Sequence, residues 1–166
     1  MKTAKRLLAL ALAGVMALAL LTGCSDSGSQ ARQVDFRYRR GQLTDYQKDE
    51  TLDKKLEVIA RKFQPNWLAG EGDRLTDDAK NIIKNELGDY LATGSVWLWY
   101  GEVKPGQSAL AQAESMKRPT GIEIATLASG TSTLQAIAFT RTDKKSDGHR
   151  YYLALETNAT IKTPRT

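Results

Sequence analysis

The apolar period of this chain changes at Ser95, and that change restricts the fold more than any composition figure. Before it, Leu52, Leu56, Ile59, Ala60 and Phe63 recur at helical spacing, while Lys54, Lys55, Glu57, Arg61 and Lys62 take the opposite side. That is the pattern of an amphipathic helix lying on a core. Pro65 ends it, because proline lacks a backbone donor and restricts the residue before it. A loop through Gly70, Glu71 and Gly72 follows. Thr76 then stands as an N-cap, with Asp77 and Asp78 where carboxylates meet the positive end of a helix. Ala79, Ile82, Ile83, Leu87, Tyr90 and Leu91 form its buried stripe, and Gly94 is expected to close this second helix.

From Ser95 onward the text reads as strands. Val96, Trp97, Leu98, Trp99 and Tyr100 form an apolar aromatic run bounded by Gly94 and Gly101. Pro105 and Gly106 predict a turn, and the Ala-rich stretch Ser108 to Lys117 a short helix. Three further strands are expected at Ile122–Leu127, Leu134–Arg141 and His149–Ile161, joined as a meander. Helices followed by antiparallel strands imply one α+β domain over residues 34–166, an α-β-α sandwich with helices packed on a mainly antiparallel sheet.

The N-terminal 23 residues have another purpose. Lys2, Lys5 and Arg6 precede an uncharged apolar run from Leu7 to Leu21, fifteen residues long. That is short for a membrane span, which needs about 20, and it has the layout of a signal peptide. Leu21, Thr22, Gly23 and Cys24 resemble the bacterial lipobox, in which the cysteine is acylated and becomes the first mature residue. Residues 24–33, with Ser25, Asp26, Ser27, Gly28, Ser29 and Gln30, read as a polar flexible tether. Val34, Phe36 and Tyr38 then alternate with Asp35, Arg37, Arg39 and Arg40, as either a short strand or the irregular first turn of a helix. Localisation on the extracytoplasmic face of a cell membrane, through the lipid anchor, is the expectation.

Charge and cysteine count exclude several classes. One Cys allows no internal disulfide, and one Cys with one His builds no Cys/His metal cage, though carboxylate sites stay open. Of the 24 basic residues the leader holds three, leaving 21 against 19 acidic ones, a net charge of +2. Nucleic acid is therefore not an expected partner. Phosphate-cradling glycine loops, paired catalytic carboxylates and Walker-type motifs are missing from the sequence, and no cofactor is called for.

A looser resemblance covers residues 34–141. Val34, Phe36, Arg37 and Gly41, then Asp49, Leu52, Leu56 and Ala60, are similar to the first helix region of the CAP (SCP) domain family. Tyr100, Gly101, Glu102 and Val103, followed by Gly106, Ser108 and Ala109, resemble that family's Gly-Glu-Asn-Ile segment. Gly121–Ala125 and Ala136–Phe139 resemble its closing hairpin. The family's two cleft histidines have no counterpart, and of its cleft carboxylates only Glu102 matches. The resemblance implies a reduced CAP-like domain that holds no His-based metal site.

A nucleophile–His–acid triad needs a His oriented by a carboxylate beside a Ser or Cys. His149, the one histidine, stands between Ser146-Asp147-Gly148 and Arg150 and reads as a surface or strand-edge residue. Glu102 is either a turn carboxylate or a cleft acid. Alternation places Trp97 and Trp99 on one strand face and Val96, Leu98 and Tyr100 on the other. The indoles are open to two readings, core packing or a ligand surface. The candidate ligand-binding set is Trp97, Trp99, Tyr100 and Glu102. The expected function is that of a membrane-anchored lipoprotein with a non-catalytic CAP-like binding domain for a peptide, glycan or lipid. The alternative is a CAP-type cleft hydrolase using Glu102. Replacing Cys24→Ser should release the chain to the soluble fraction or leave the leader uncut. Mass spectrometry that found Cys24 unmodified in a membrane-bound mature chain would remove the lipidation reading.

Overall fold

A computed structural model describes residues 46–69, 74–119 and 121–163; the leader, Cys24, the tether, the Val34–Arg40 stretch and the loop from Gly70 to Gly72 lie outside the described residues. Helix α1 spans Glu50–Lys62. Asp49 caps it: Oδ1 accepts the Leu52 N–H at 2.7 Å, while Oδ2 accepts the Tyr90 hydroxyl at 2.8 Å. Burial and then this carboxylate push the Tyr90 phenol up to about 12. Leu52, Leu56, Ile59 and Ala60 form the buried stripe. Pro65 opens a 3-10 turn, Pro65–Leu68, that lays Trp67 edge-on to Phe63 with ring centroids 5.6 Å apart.

Helix α2, Asp77–Leu87, is capped by Thr76 as expected, its Oγ1 accepting the Ala79 N–H at 3.3 Å. Its end differs from the sequence reading. The helix stops at Gly88, and Leu91 already opens β1, Leu91–Glu102. Tyr90 and Leu91 sit three and four residues beyond Leu87 and so continue a helical stripe on paper. In the fold, β4 captures the chain there: Lys162 N donates to Tyr90 O at 2.9 Å, and Lys162 Nζ reaches Gly88 O. Gly94 is no helix cap. It sits inside β1 at φ +141°, next to a register shift between Leu91 and Gly94, where a Cβ would lie 2.4 Å from Ala159 Cα. Glycine alone adopts that conformation at little cost.

A short helix α3, Ala109–Ser115, follows the Pro105-Gly106 turn, and then come β2 (Ile122–Ala125), β3 (Gly130–Arg141) and β4 (Tyr151–Lys162). The sheet is antiparallel in the order β2-β1-β4-β3. The expected meander forms only in part. β3 and β4 make a hairpin, but β2 crosses to the far edge and pairs with β1, Ile124 opposite Gly94. The segments likened to a closing hairpin, Gly121–Ala125 and Ala136–Phe139, therefore lie on opposite edges. Paired there, β2 turns Ile122 and Ile124 inward, where they join the core cluster formed with α2.

Even-numbered residues of β1 and β3 and odd ones of β4 make the principal face. Val96, Leu98, Leu134, Ala136, Ala138, Leu153 and Leu155 pack there against α1 and α2. On the second face, Trp99, Ile137, Tyr152 and Ala154 pack against Ala113 and Met116 of the α3 region. The domain is α+β with helices on both faces of the sheet, α3 covering only part of its side.

Leu56 and Ile83 are both 0% exposed at the centre of the principal core. Truncating either to Ala should cost about 2–5 kcal/mol, because the space left behind collapses only in part. Urea titration should show the lower midpoint at an unchanged slope; a loss below about 0.5 kcal/mol would mean that the stripe does not carry the core.

Candidate functional site

Strand alternation divides the four candidate residues between two places. Trp97 and Trp99 project from the second face, where β1 runs beside β4 with Trp97 opposite Glu156. Glu156 is 9% exposed, in the middle of a strand and directly after the apolar run Leu153-Ala154-Leu155. A carboxylate there must have its lone pairs satisfied. The Trp99 indole N–H donates to Oε2 at 2.7 Å and the Tyr46 hydroxyl to Oε1 at 2.7 Å. Arg118 supplies the counter-charge, one guanidinium nitrogen lying 3.4 Å from Oε2. Its guanidinium carbon is 5.3 Å from the ring centroids of both Trp97 and Trp99, within cation–π range.

Trp99 is buried and Trp97 half-buried, so the two indoles differ: Trp99 packs in the core and Trp97 borders solvent. Trp97 lies so close to the backbone at Gly121 that a Cβ there would come 2.5 Å from its Nε1. Beyond Trp97 the second face is polar. Ser95 Oγ donates to Glu123 Oε1 at 2.7 Å, and the Thr93 and Thr160 hydroxyls stand 3.2 Å apart. Asn158, opposite Ser95, is exposed.

Tyr100 and Glu102 belong to the principal face at the other end of β1. With Leu68, Lys104, Lys117 and Tyr151 they line a hollow of about 300 Å³. Glu102 does not cap the N–H groups of its own turn. Its Oε1 lies 2.7 Å from His149 Nδ1, both side chains partly exposed. His149 is thus at the surface, as the sequence indicates, but paired with a carboxylate 47 positions away in the chain. Asp147 binds beside it, accepting the His149 N–H at 2.9 Å and the Tyr151 hydroxyl at 2.6 Å. The Tyr151 hydroxyl and then the His149 N–H hold Asp147 below the usual carboxylate range. Burial, followed by Asp147, pushes Tyr151 up to about 12.

Among the described residues this corner has a His–carboxylate contact with no Ser or Cys bonded to the imidazole. Ser115, at the wall of the hollow, donates to Gln112 O at 2.9 Å and accepts the Gln112 amide at 3.3 Å. No group of three or more His, Cys, Asp or Glu side chains among the described residues is placed to hold a metal ion.

Sequence reasoning missed Tyr46, Arg118 and Glu156. Of these only Glu156 left a trace: a lone charge in the run Leu153, Ala154, Leu155, Glu156, Thr157 on a strand with apolar residues on both faces. No family model, no curated protein and no solved structure matches this chain.

Glu156→Ala should remove about 2 kcal/mol or more, because it deletes the acceptor of both the buried Trp99 indole N–H and the Tyr46 hydroxyl. Arg118, with 44% of its side chain exposed, rehydrates. Glu156→Gln keeps one acceptor and should cost less. Chemical denaturation of both variants checks the order; equal stabilities for Ala, Gln and wild type would mean that the carboxylate organises nothing.

Proposed function

We propose that this chain is a membrane-tethered lipoprotein whose domain binds a glycan without transforming it, on the second face of the sheet. Trp97 carries the reading: a half-buried indole at the border between the packed and the open halves of that face. An indole offers flat apolar area at low entropic cost, which suits the apolar face of a sugar ring. Thr93, Ser95, Asn158 and Thr160 supply hydroxyl and amide groups on the same face. Arg118 extends the platform with a guanidinium that directs only one contact at Glu156. The lipobox-like sequence at Cys24 supports the tether, which attaches the domain on the extracytoplasmic side.

Tyr100 and Glu102 fall outside this surface, so the CAP-like resemblance, whose matched carboxylate is Glu102, adds nothing to it. A second reading has its own observation, the 2.7 Å contact between His149 and Glu102. It would make the hollow beside Tyr100 a hydrolytic cleft.

Titration of the full chain with amino-sugar oligosaccharides, followed by tryptophan fluorescence and amide chemical shifts, separates the two. Trp97→Ala should weaken binding about tenfold or more while the domain still melts cooperatively. His149→Ala should bind as wild type. Glycan turnover that His149→Ala alone abolishes would establish the cleft instead.

A further inference from the structure

Among the described residues, β2 is an edge of the sheet with no strand beyond it. Thr126 N donates to Ala92 O at 2.9 Å, which fixes the parity of the strand. In an antiparallel pair alternate residues turn both main-chain groups to the same neighbour. Ile122, Ile124 and Thr126 therefore address β1, whereas the N–H and C=O groups of Glu123 and Ala125 point away from the sheet. No backbone partner meets them among the described residues. Next to this edge, between β2 and the last turns of α2, runs a groove of about 510 Å³ with Lys84, Asn85 and Gly88 on the helical wall and Glu123, Ile124, Ala125 and Thr126 on the strand side. Both chain edges and groove walls are the elements from which strand-addition sites are built.

Charge selects the occupant. A strand added beside β2 sends alternate side chains to opposite faces. On the principal side they enter the groove beside Lys84, which makes no salt bridge among the described residues. On the second side they meet the exposed Glu123, which Ser95 holds in place. We propose that the β2 edge takes an extended peptide segment of another protein as a fifth strand, with an acidic side chain in the groove at Lys84 and the adjacent basic side chain on Glu123. This site uses the edge and the α2 groove and does not depend on the glycan reading of the Trp97 surface.

The probe is a blocked hexapeptide, Val-Thr-Glu-Lys-Val-Thr, titrated into the full chain, with Val-Thr-Lys-Glu-Val-Thr as the charge-reversed comparison. The first should shift the Glu123 and Ala125 amide resonances and slow their hydrogen exchange; the second should bind about tenfold more weakly or worse. A chain carrying Lys84→Glu and Glu123→Lys together should reverse that preference. Ala125→Pro deletes one outward donor and no bond to β1, so the domain should still melt cooperatively while binding is lost. Should that variant fail to fold, the same peptide methylated at the backbone nitrogens of both its Glu and its Lys removes the contact from the other side in either strand direction. Equal affinity for the two peptides, or Glu123 and Ala125 amides that neither peptide moves, would overturn the proposal. So would oligosaccharide shifts confined to those same two amides, since the edge would then belong to the glycan surface.

Discussion

β4 is the strand on which the other elements depend. It pairs with β1 along one side and β3 along the other, and its residues from Tyr152 to Thr157 are all buried. A strand flanked on both edges and covered on both faces leaves little water for a polar side chain, so a charge placed there must be met by protein. Glu156 is that charge. Its partners come from three separate stretches: Tyr46 before α1, Trp99 in β1, and Arg118 in the connection from α3 to β2. One carboxylate thereby gathers the entry of the chain, its aromatic strand and the crossing that carries β2 to the far edge.

The helices are joined to the sheet by a second kind of polar contact. Lys145 Nζ, from the loop between β3 and β4, donates to the carbonyls of Ala60 and Arg61 at 2.8 and 3.2 Å. Lys162 Nζ, at the end of β4, reaches the carbonyl of Gly88 just past α2. The last carbonyls of a helix lack intrahelical partners and sit at the negative end of its dipole, so an ammonium there answers both needs. Partial burial lowers the Lys145 pKa, opposed by nearby Asp143. Helices α1 and α2 thus each have an N-cap from the preceding residue and a C-terminal contact from distant sequence.

That division also marks what could be read from the amino acids. Features set by local spacing were legible: the stripe of α1, the Thr76 cap, the Pro105-Gly106 turn, the short helix behind Ser108, and the parity that separates Trp97 and Trp99 from Tyr100. Features set by competition between distant partners were not. Nothing near Tyr90 or Leu91 announces that β4 will claim them, since both apolar residues satisfy a helical period as well as a strand. Nothing within Ile122–Ala125 tells whether its partner is β1 or β3. The site shows the same split. Its indoles were visible as a pattern, whereas the carboxylate that anchors one of them and the arginine that covers both lie 57 and 19 positions beyond Trp99.

The entry of the chain has a mechanical consequence. Tyr46 and Gln47 are where the described chain first touches the sheet, through the hydroxyl on Glu156 and through Gln47 N on the carbonyl of Gln135 at 2.8 Å. Gln47 meets β3 in parallel orientation at Ala136. Tension applied at Tyr46 would therefore be delivered to the sheet itself and not to a helix end. Its first load would fall on the Tyr46–Glu156 and Gln47–Gln135 hydrogen bonds, the first of which shares its carboxylate with the Trp99 indole. A pull at Tyr46 and a contact on Trp97 would act on the same few bonds, so strain in one direction would be felt as a change of grip in the other.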